Sequence, residues 1–291
     1  MTPRTATAIG FSAVLLWSLL ALFTVATDPV PPFQLNAICF AIGGVAGLIW
    51  VANSGNLGQL RRVSWRVYAF GTLGLFGYHA FYFSALRLAP PAEAGLIAYL
   101  WPLLIVLFSG LLPGERLRAG HVAGALAGFA GAALIVAAGL TRVSAGALPG
   151  YGLALLCALT WSGYSVLSRR LGATPTAAVA VFCLATSALS LAAHLAFETT
   201  AWPQGLQGWA ALIGLGLGPV GLAFYAWDVG VKRGDIQLLG TASYAAPLLS
   251  TLLLILAGMA EPRREILVAA VLITAGAVLA ARSGRTRRRR S

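Results

Sequence analysis

Charge is what this 291-residue sequence has least of: 10% of its residues are Asp, Glu, Lys or Arg, against 59% hydrophobic. A soluble domain would carry about 25% charged residues, so the composition excludes one. Acidic side chains are the scarcest. Asp28, Glu93, Glu115, Glu198, Asp228, Asp235, Glu261 and Glu265 all fall at or near the ends of hydrophobic runs. No carboxylate stands in the middle of a run, where proton-coupled carriers usually keep one, so proton coupling would have to rest on His79 or on a displaced Asp228. Cys39, Cys157 and Cys183 each sit alone in an apolar stretch, which excludes a paired metal or redox motif and leaves packing as their role. Neither H-E-x-x-H nor a G-x-x-x-x-G-K-[ST] loop occurs, and nothing else in the pattern calls for a metal or a cofactor.

What is present is uncharged length. Cut at its charged residues, the chain yields ten runs, nearly all able to cross a bilayer. A hydrocarbon core of about 30 Å needs about 20 apolar residues as helix, because backbone polar groups in lipid must pair within the segment. Ten transmembrane helices are expected near 7–26, 33–52, 68–86, 93–111, 120–138, 150–168, 176–197, 207–228, 237–257 and 266–282. Only the last run is short, and a snorkelling Arg282 extends it. The first ends in Asp28 and three prolines with no convincing small-x-small cleavage site, so it is expected to remain as a helix.

A net charge of +12 invites thoughts of nucleic acid, but the positions of the basic residues argue otherwise. With the N-terminus cytoplasmic, the inside segments hold Arg4, Arg61, Arg62, Arg66, Arg116, Arg118, Arg169, Arg170, Lys232, Arg233, Arg282, Arg285 and Arg287 to Arg290. Only Arg87, Arg142, Arg263 and Arg264 are left outside. Lys and Arg beside helix ends resist translocation, so both termini are expected in the cytoplasm. The basic C-terminal tail then meets anionic lipid headgroups rather than nucleic acid.

The chain also repeats itself. Trp17-Ser18 recurs as Trp161-Ser162, and Gly74-x-x-Gly77 as Gly218-x-x-Gly221, both 144 residues on. Tyr99-x-x-Pro102 returns as Tyr244-x-x-Pro247, and Ala130-Gly131-Ala132 as Ala275-Gly276-Ala277, both 145 residues on. Order and near-constant spacing mark two halves, 1–140 and 141–291, the second carrying the basic tail. Five helices per half is an odd number, so the second half enters the membrane from the opposite side. The expected fold class is therefore an all-α integral membrane protein of two inverted five-helix repeats, an architecture that belongs mainly to secondary transporters.

These features resemble a known family. The five-plus-five helices, the Trp-Ser of each half's first helix, Glu115 and Glu261 after each fourth helix, and the Tyr-x-x-Pro pairs are similar to the drug/metabolite transporter superfamily, in its EamA-type branch. The stretches Tyr78-His79-Ala80-Phe81-Tyr82-Phe83, Ala85-Leu86-Arg87, Glu93-Ala94-Gly95, Tyr99-Leu100-Trp101-Pro102, Phe224-Tyr225-x-Trp227-Asp228 and Lys232-Arg233-Gly234-Asp235 look most like amino acid exporters of that branch. The resemblance implies a multi-pass protein of the bacterial inner membrane that exports aromatic and other neutral amino acids by alternating access. Efflux of drugs or cationic metabolites is the alternative on the same fold. Monomer or weak dimer is the expected assembly.

The candidate site follows from aromatic residues with polar edges. Tyr78, Tyr82, Tyr99 and Trp101 lie several residues inside their segments, away from the headgroups where Tyr and Trp usually collect. They are expected to face a central aqueous cavity, with Trp17, Trp161, Tyr164, Tyr225 and Tyr244 completing its wall. Such a wall offers hydroxyl and indole donors to a carboxylate and ring faces to an ammonium, which suits an amino acid. His79, midway along its segment, is a binding candidate because it is ionisable and intramembrane, whereas His121 and His194 are expected near helix ends, within reach of water. Pro102 and Pro247, at repeat-related positions, are expected to act as matched hinges. Gly71, Gly74 and Gly77, and Gly124 with Gly128, are read as small-residue packing stripes. An intramembrane serine hydrolase built on Gly163-Tyr164-Ser165 with His194 is disfavoured, since the expected topology puts the two side chains at opposite faces.

Overall fold

The computed structural model describes residues 1–136, 145–262 and 264–288; Arg142, Arg263, Arg289, Arg290 and most of the 139–149 loop lie outside them. Among the described residues the long helices are α1 (Pro3–Ala26), α2 (Pro32–Asn53), α3 (Trp65–Leu88), α4 (Pro91–Ser109), α5 (Ala119–Val136), α6 (Leu148–Arg170), α7 (Ala178–Phe197), α8 (Gly205–Arg233), α9 (Ile236–Leu256) and α10 (Arg264–Arg288). No strand occurs among the described residues. All of these helices except α3 are long and apolar enough to cross a membrane. Helix α3 has the length, 24 residues, and its apolarity is diluted by Tyr78, His79 and Tyr82.

Local chemistry sets the starts. Proline occupies the first turn of α1, α2, α4 and α6, where its fixed φ suits a helix and its missing N–H leaves no intrahelical bond unmade. Asp235 caps α9 by accepting from the Leu238 amide at 3.0 Å. The expected interruptions are present, displaced from the prolines themselves. Helix α4 breaks at Tyr99–Leu100 and α9 at Ser243–Tyr244, so Pro102 and Pro247 stand in the first turn after each break. Each proline ring would collide with the carbonyl four residues back, Ala98 or Ser243, and the chain turns there instead. Two interruptions stand beyond those expected: α1 breaks at Leu19, which no glycine or proline marks, and α8 passes through a π-helical turn at Gly218–Leu222, which opens on Gly218-Pro219. Such turns gather at functional sites.

The packing pairs repeat between the halves. Helix α1 lies along α8 as α6 lies along α3, and α4 touches α6 as α9 touches α1. Helices α2 and α7 pack on each other, as do α5 and α10. Both of these pairs run antiparallel. Asn36 Nδ2 donates to Ser190 Oγ at 2.7 Å, while Gly44, further along α2, faces Leu184, earlier on α7. Close approach needs glycine where helices cross. A Cβ on Gly43 would lie 2.7 Å from the Gly221 Cα where α2 meets α8, and one on Gly124 would lie 2.5 Å from the Gly276 carbonyl oxygen where α5 meets α10. The expected stripe on α3 also packs: Gly71 faces Phe182 and Gly74 faces Tyr164.

Few charges hold the helix ends, and each is heavily used. The Glu198 carboxylate at the end of α7 accepts from the amides of Phe33 and Gln34 in the first turn of α2, from Arg87 at 2.9 Å, and pairs with His194 Nδ1 at 3.1 Å. Those two amides are among the donors that a helix start leaves without an intrahelical partner. Toward the other end, Arg169 reaches Glu115 and the carbonyls of Val231 and Gly234 that close α8. His121 and His194 are buried, against the expectation of water contact; His194 is held between Glu198 and Thr200.

Candidate functional site

Trp17 of α1, Trp101 of α4, Trp161 of α6 and Trp227 of α8 meet at the centre. Every pair among the four is in contact, with ring centroids 5.1–6.4 Å apart. Phe224 touches Trp17 and Trp161 and stacks on Phe40 at 5.3 Å. Tyr164 stacks on Trp161 at 5.3 Å, and Tyr78 leans on the same indole at 5.4 Å. Tyr78 and Tyr82, one turn apart on α3, hold their rings parallel, and His79 abuts Tyr78, Phe40, Phe83 and Phe224. The repeat accounts for part of this assembly, because Trp17 and Trp161 are equivalent positions in the two halves.

The polar atoms of these rings divide into two classes. Trp17 Nε1 donates to the Pro219 carbonyl, opened by the π turn, at 3.1 Å, and Trp227 Nε1 donates to Ser165 Oγ at 3.0 Å. These two indoles are fixed. The hydroxyls of Tyr78, Tyr82 and Tyr99, the indole nitrogens of Trp101 and Trp161, and Nε2 of His79 have no protein partner, yet none of them is among the fully buried unsatisfied atoms. Each therefore keeps some accessible surface beside the indole cluster. Unpartnered polar atoms that keep accessible surface can take water or a ligand as partner, and six of them gather in this one cluster. His79 Nδ1 lies 2.7 Å from the Leu75 carbonyl, which can only accept. Nδ1 therefore carries the proton, and in the neutral ring Nε2 is left as an acceptor.

Two expected wall residues stand elsewhere. Tyr244 is fully buried against Phe129 and Gly128 of α5, and its hydroxyl accepts the Leu103 amide at 3.1 Å. That amide is among those freed by the break before Pro102, so Tyr244 is a strut across the α4–α9 contact. Tyr225 donates to the Gly43 carbonyl at 3.1 Å and faces Trp50. Its neighbours Phe224 and Trp227, three residues apart on one face of α8, point to the centre in its place. That spacing was the available signal for Trp227, which the aromatic count of α8 includes but does not set apart from Tyr225. Ser165 is occupied by Trp227 and His194 by Glu198 and Thr200, so they form no catalytic pair.

A second feature lies at one end of the bundle. An open cleft of about 360 Å³ runs between the start of α3 and the α6–α7 connection, lined by Gln59, Arg62, Val63, Ser64, Val67 and Ala173 to Pro175. It leads to a constriction of about 10 Å³ lined by Phe70, Ser168, Phe182, Asp228 and Lys232 and sharing Val67 and Thr174 with the cleft. Asp228 and Lys232 form an ion pair at 2.8 Å with side chains 1% and 4% exposed.

Comparison with known proteins agrees with this architecture. The aromatic amino acid exporter YddG of Ancylobacter novellus is 56% identical over 283 residues, which span 96% of this chain and 98% of that protein. Proteins of the same name from Salmonella typhimurium and Escherichia coli are 26% and 27% identical, each over 87% of this chain. A crystal structure 56% identical in sequence superposes with a TM-score of 0.92 over 96% of this chain and 98% of its own. The model of the EamA-like transporter family matches at residues 5–137 and again at 148–282. With nearly the whole length matched in two segments, this multi-pass membrane protein belongs to the EamA-like transporter family and is a transporter, not an enzyme.

Proposed function

We propose that the protein exports amino acids, aromatic ones among them, across the bacterial inner membrane by alternating access at the tryptophan-centred site. The observation that carries this reading is the set of six unpartnered polar atoms beside the indole cluster. Tyr78, Tyr82, Tyr99, Trp101 and Trp161 present donors suited to a carboxylate. The His79 Nε2 acceptor and the surrounding ring faces suit an ammonium, and the aromatic wall suits an apolar side chain. The name of the 56% identical relative points the same way.

The reading includes ten spans in two inverted halves with both termini in the cytoplasm. Helix α3 is the tenth span: at 1.5 Å per residue its 24 residues reach about 36 Å, and the polar residues that set it apart are the ones facing the site. Inversion is supported by the exchange of packing partners between halves and by the antiparallel contact of α2 with α7 and of α5 with α10. Orientation is supported by the basic residues gathered at one face. The breaks before Pro102 and Pro247 supply related flexible points for the two halves to trade shapes.

The test is transport by the purified protein in liposomes. Phenylalanine and other neutral amino acids should be carried, and amphipathic cations should compete weakly. Trp101→Ala should raise KM most for bulky side chains, by several-fold for about 1 kcal/mol of lost stacking, and His79→Ala should raise it for all. Parental kinetics in both variants would refute the site; efficient carriage of cations and not of amino acids would refute the substrate class.

A further inference from the structure

The cleft at the basic end of the bundle has no part in the site described so far. Its volume, about 360 Å³, falls within the roughly 300–1,000 Å³ of small-molecule pockets. Its constriction, about 10 Å³, is barely one water wide. Phe70 of the constriction stacks on Tyr164 at 5.5 Å and Tyr164 stacks on Trp161, so two ring contacts separate the constriction from the indole cluster. The cleft thus narrows at a wall that carries Asp228 and Lys232 and, through Phe70 and Tyr164, backs onto the indole cluster.

What closes it is chemically specific. Asp228 Oδ2 accepts from Thr176 Oγ1 at 2.7 Å and from Lys232 Nζ at 3.0 Å, and Lys232 Nζ also donates to the Thr174 carbonyl at 3.1 Å. One carboxylate and one ammonium, nearly sealed from water, therefore tie α8 to the connection that opens α7. An α-amino acid carries the same two charges on one carbon. A zwitterion in the cleft can offer its carboxylate to Lys232 and its ammonium to Asp228, exchanging one ion pair for two while neither protein charge is left bare. Substrates with a single charge cannot make that exchange, because either partner left alone in a buried site is strongly disfavoured.

We propose that this cleft is a loading subsite for amino acid zwitterions on the cytoplasmic face, and that the Asp228–Lys232 pair both recognises the substrate and yields to it as the constriction opens. This rests on the amino acid export reading and on its orientation. It assigns to the pair a selection step that precedes contact with the tryptophans.

Inside-out and right-side-out membrane vesicles carrying the full-length protein separate the two faces. Neutralising the pair as Asp228→Asn with Lys232→Gln leaves no unpaired buried charge and keeps a hydrogen-bonding side chain at each position. This double variant should raise the phenylalanine KM at the cytoplasmic face by about tenfold, the worth of a lost charge-assisted hydrogen bond, and the KM at the outer face by less than about twofold. Wild-type protein supplies a second measurement that requires no substitution. Phenylalaninamide and N-acetylphenylalanine, each lacking one charge, should compete about tenfold more weakly than phenylalanine at the cytoplasmic face, and the double variant should narrow that difference there to the discrimination that the central site gives at the outer face. An unchanged cytoplasmic KM, or an equal rise at both faces, would overturn the loading subsite while amino acid transport stands. Wild-type vesicles that carry no amino acid would overturn the export reading itself, and the loading subsite with it.

Discussion

Tyr99 and Tyr244 occupy equivalent positions in the two halves and carry the same hydroxyl, yet removing that hydroxyl should have opposite consequences. In Tyr244→Phe the Leu103 amide loses its acceptor in a region closed to water, and an orphaned donor costs about 1–3 kcal/mol. At about 2–4 °C per kcal/mol, a loss near 2 kcal/mol lowers the Tm by about 4–8 °C, while the phenylalanine KM of the surviving protein stays near the parent's. In Tyr99→Phe no protein group loses a partner, so the Tm should hold. A charged substrate loses a hydrogen bond instead, worth about 1.5–3 kcal/mol, and KM should rise by about tenfold to a hundredfold. Thermal unfolding followed by a thiol-reactive dye on the buried Cys39, Cys157 and Cys183, read beside liposome uptake, measures both quantities on the same preparation. Destabilisation by Tyr99→Phe with parental KM, or a raised KM without destabilisation in Tyr244→Phe, would refute the division of these rings into struts and ligand contacts.

Cysteines placed at Gly58 and Gln204, in a background cleared of the native three, should label from the cytoplasmic and outer faces respectively with an impermeant maleimide; the reverse pattern would overturn the orientation. Pro102→Ala and Pro247→Ala should each slow transport while leaving the Tm and substrate binding largely intact, because a continuous helix regains a hydrogen bond and loses its bend. Wild-type transport rates in both would rule out the hinge role. Gly124→Leu should prevent stable folding, since even a Cβ there meets the Gly276 carbonyl oxygen at 2.5 Å, whereas Gly152→Ala, with open space at its Cβ, should express and transport like the parent. Detergent-stable monodisperse protein from Gly124→Leu would contradict the α5–α10 contact.

The fold was legible because a bilayer imposes coarse rules. Uncharged runs of span length mark helices, and Trp17 with Trp161, or Tyr99 with Tyr244, mark the repeat. Helix breaks were legible in kind and misplaced by two to four residues, because a proline acts on the carbonyl four positions back and not on its own. Tyr225 and Tyr244 were misassigned for a different reason. Aromatic content says which helix is rich in rings but not which way each ring points, and the two-fold repeat that pairs Tyr99 with Tyr244 is not obeyed by their hydroxyls. Pro219 marks an interruption in α8 that the sequence reading passed over, whereas its π character, which turns the Pro219 carbonyl toward Trp17, leaves no pattern in composition. The ion pair of Asp228 and Lys232 could be suspected from its spacing of four, but not its place at the floor of a cleft between α3 and the α6–α7 connection.

The mutual contact of four indoles has an optical consequence. Excitation on one ring migrates readily among neighbours whose centres are 5.1–6.4 Å apart, so Trp17, Trp101, Trp161 and Trp227 emit as a coupled unit. A molecule that touches Trp101 alone therefore perturbs the light from half of the protein's eight tryptophans. Trp50, Trp65, Trp202 and Trp209 are all exposed on the outer surface of the bundle and contribute a steady background. With the substrate site placed as proposed, the protein's own fluorescence would report its occupancy by quenching, without labels or turnover.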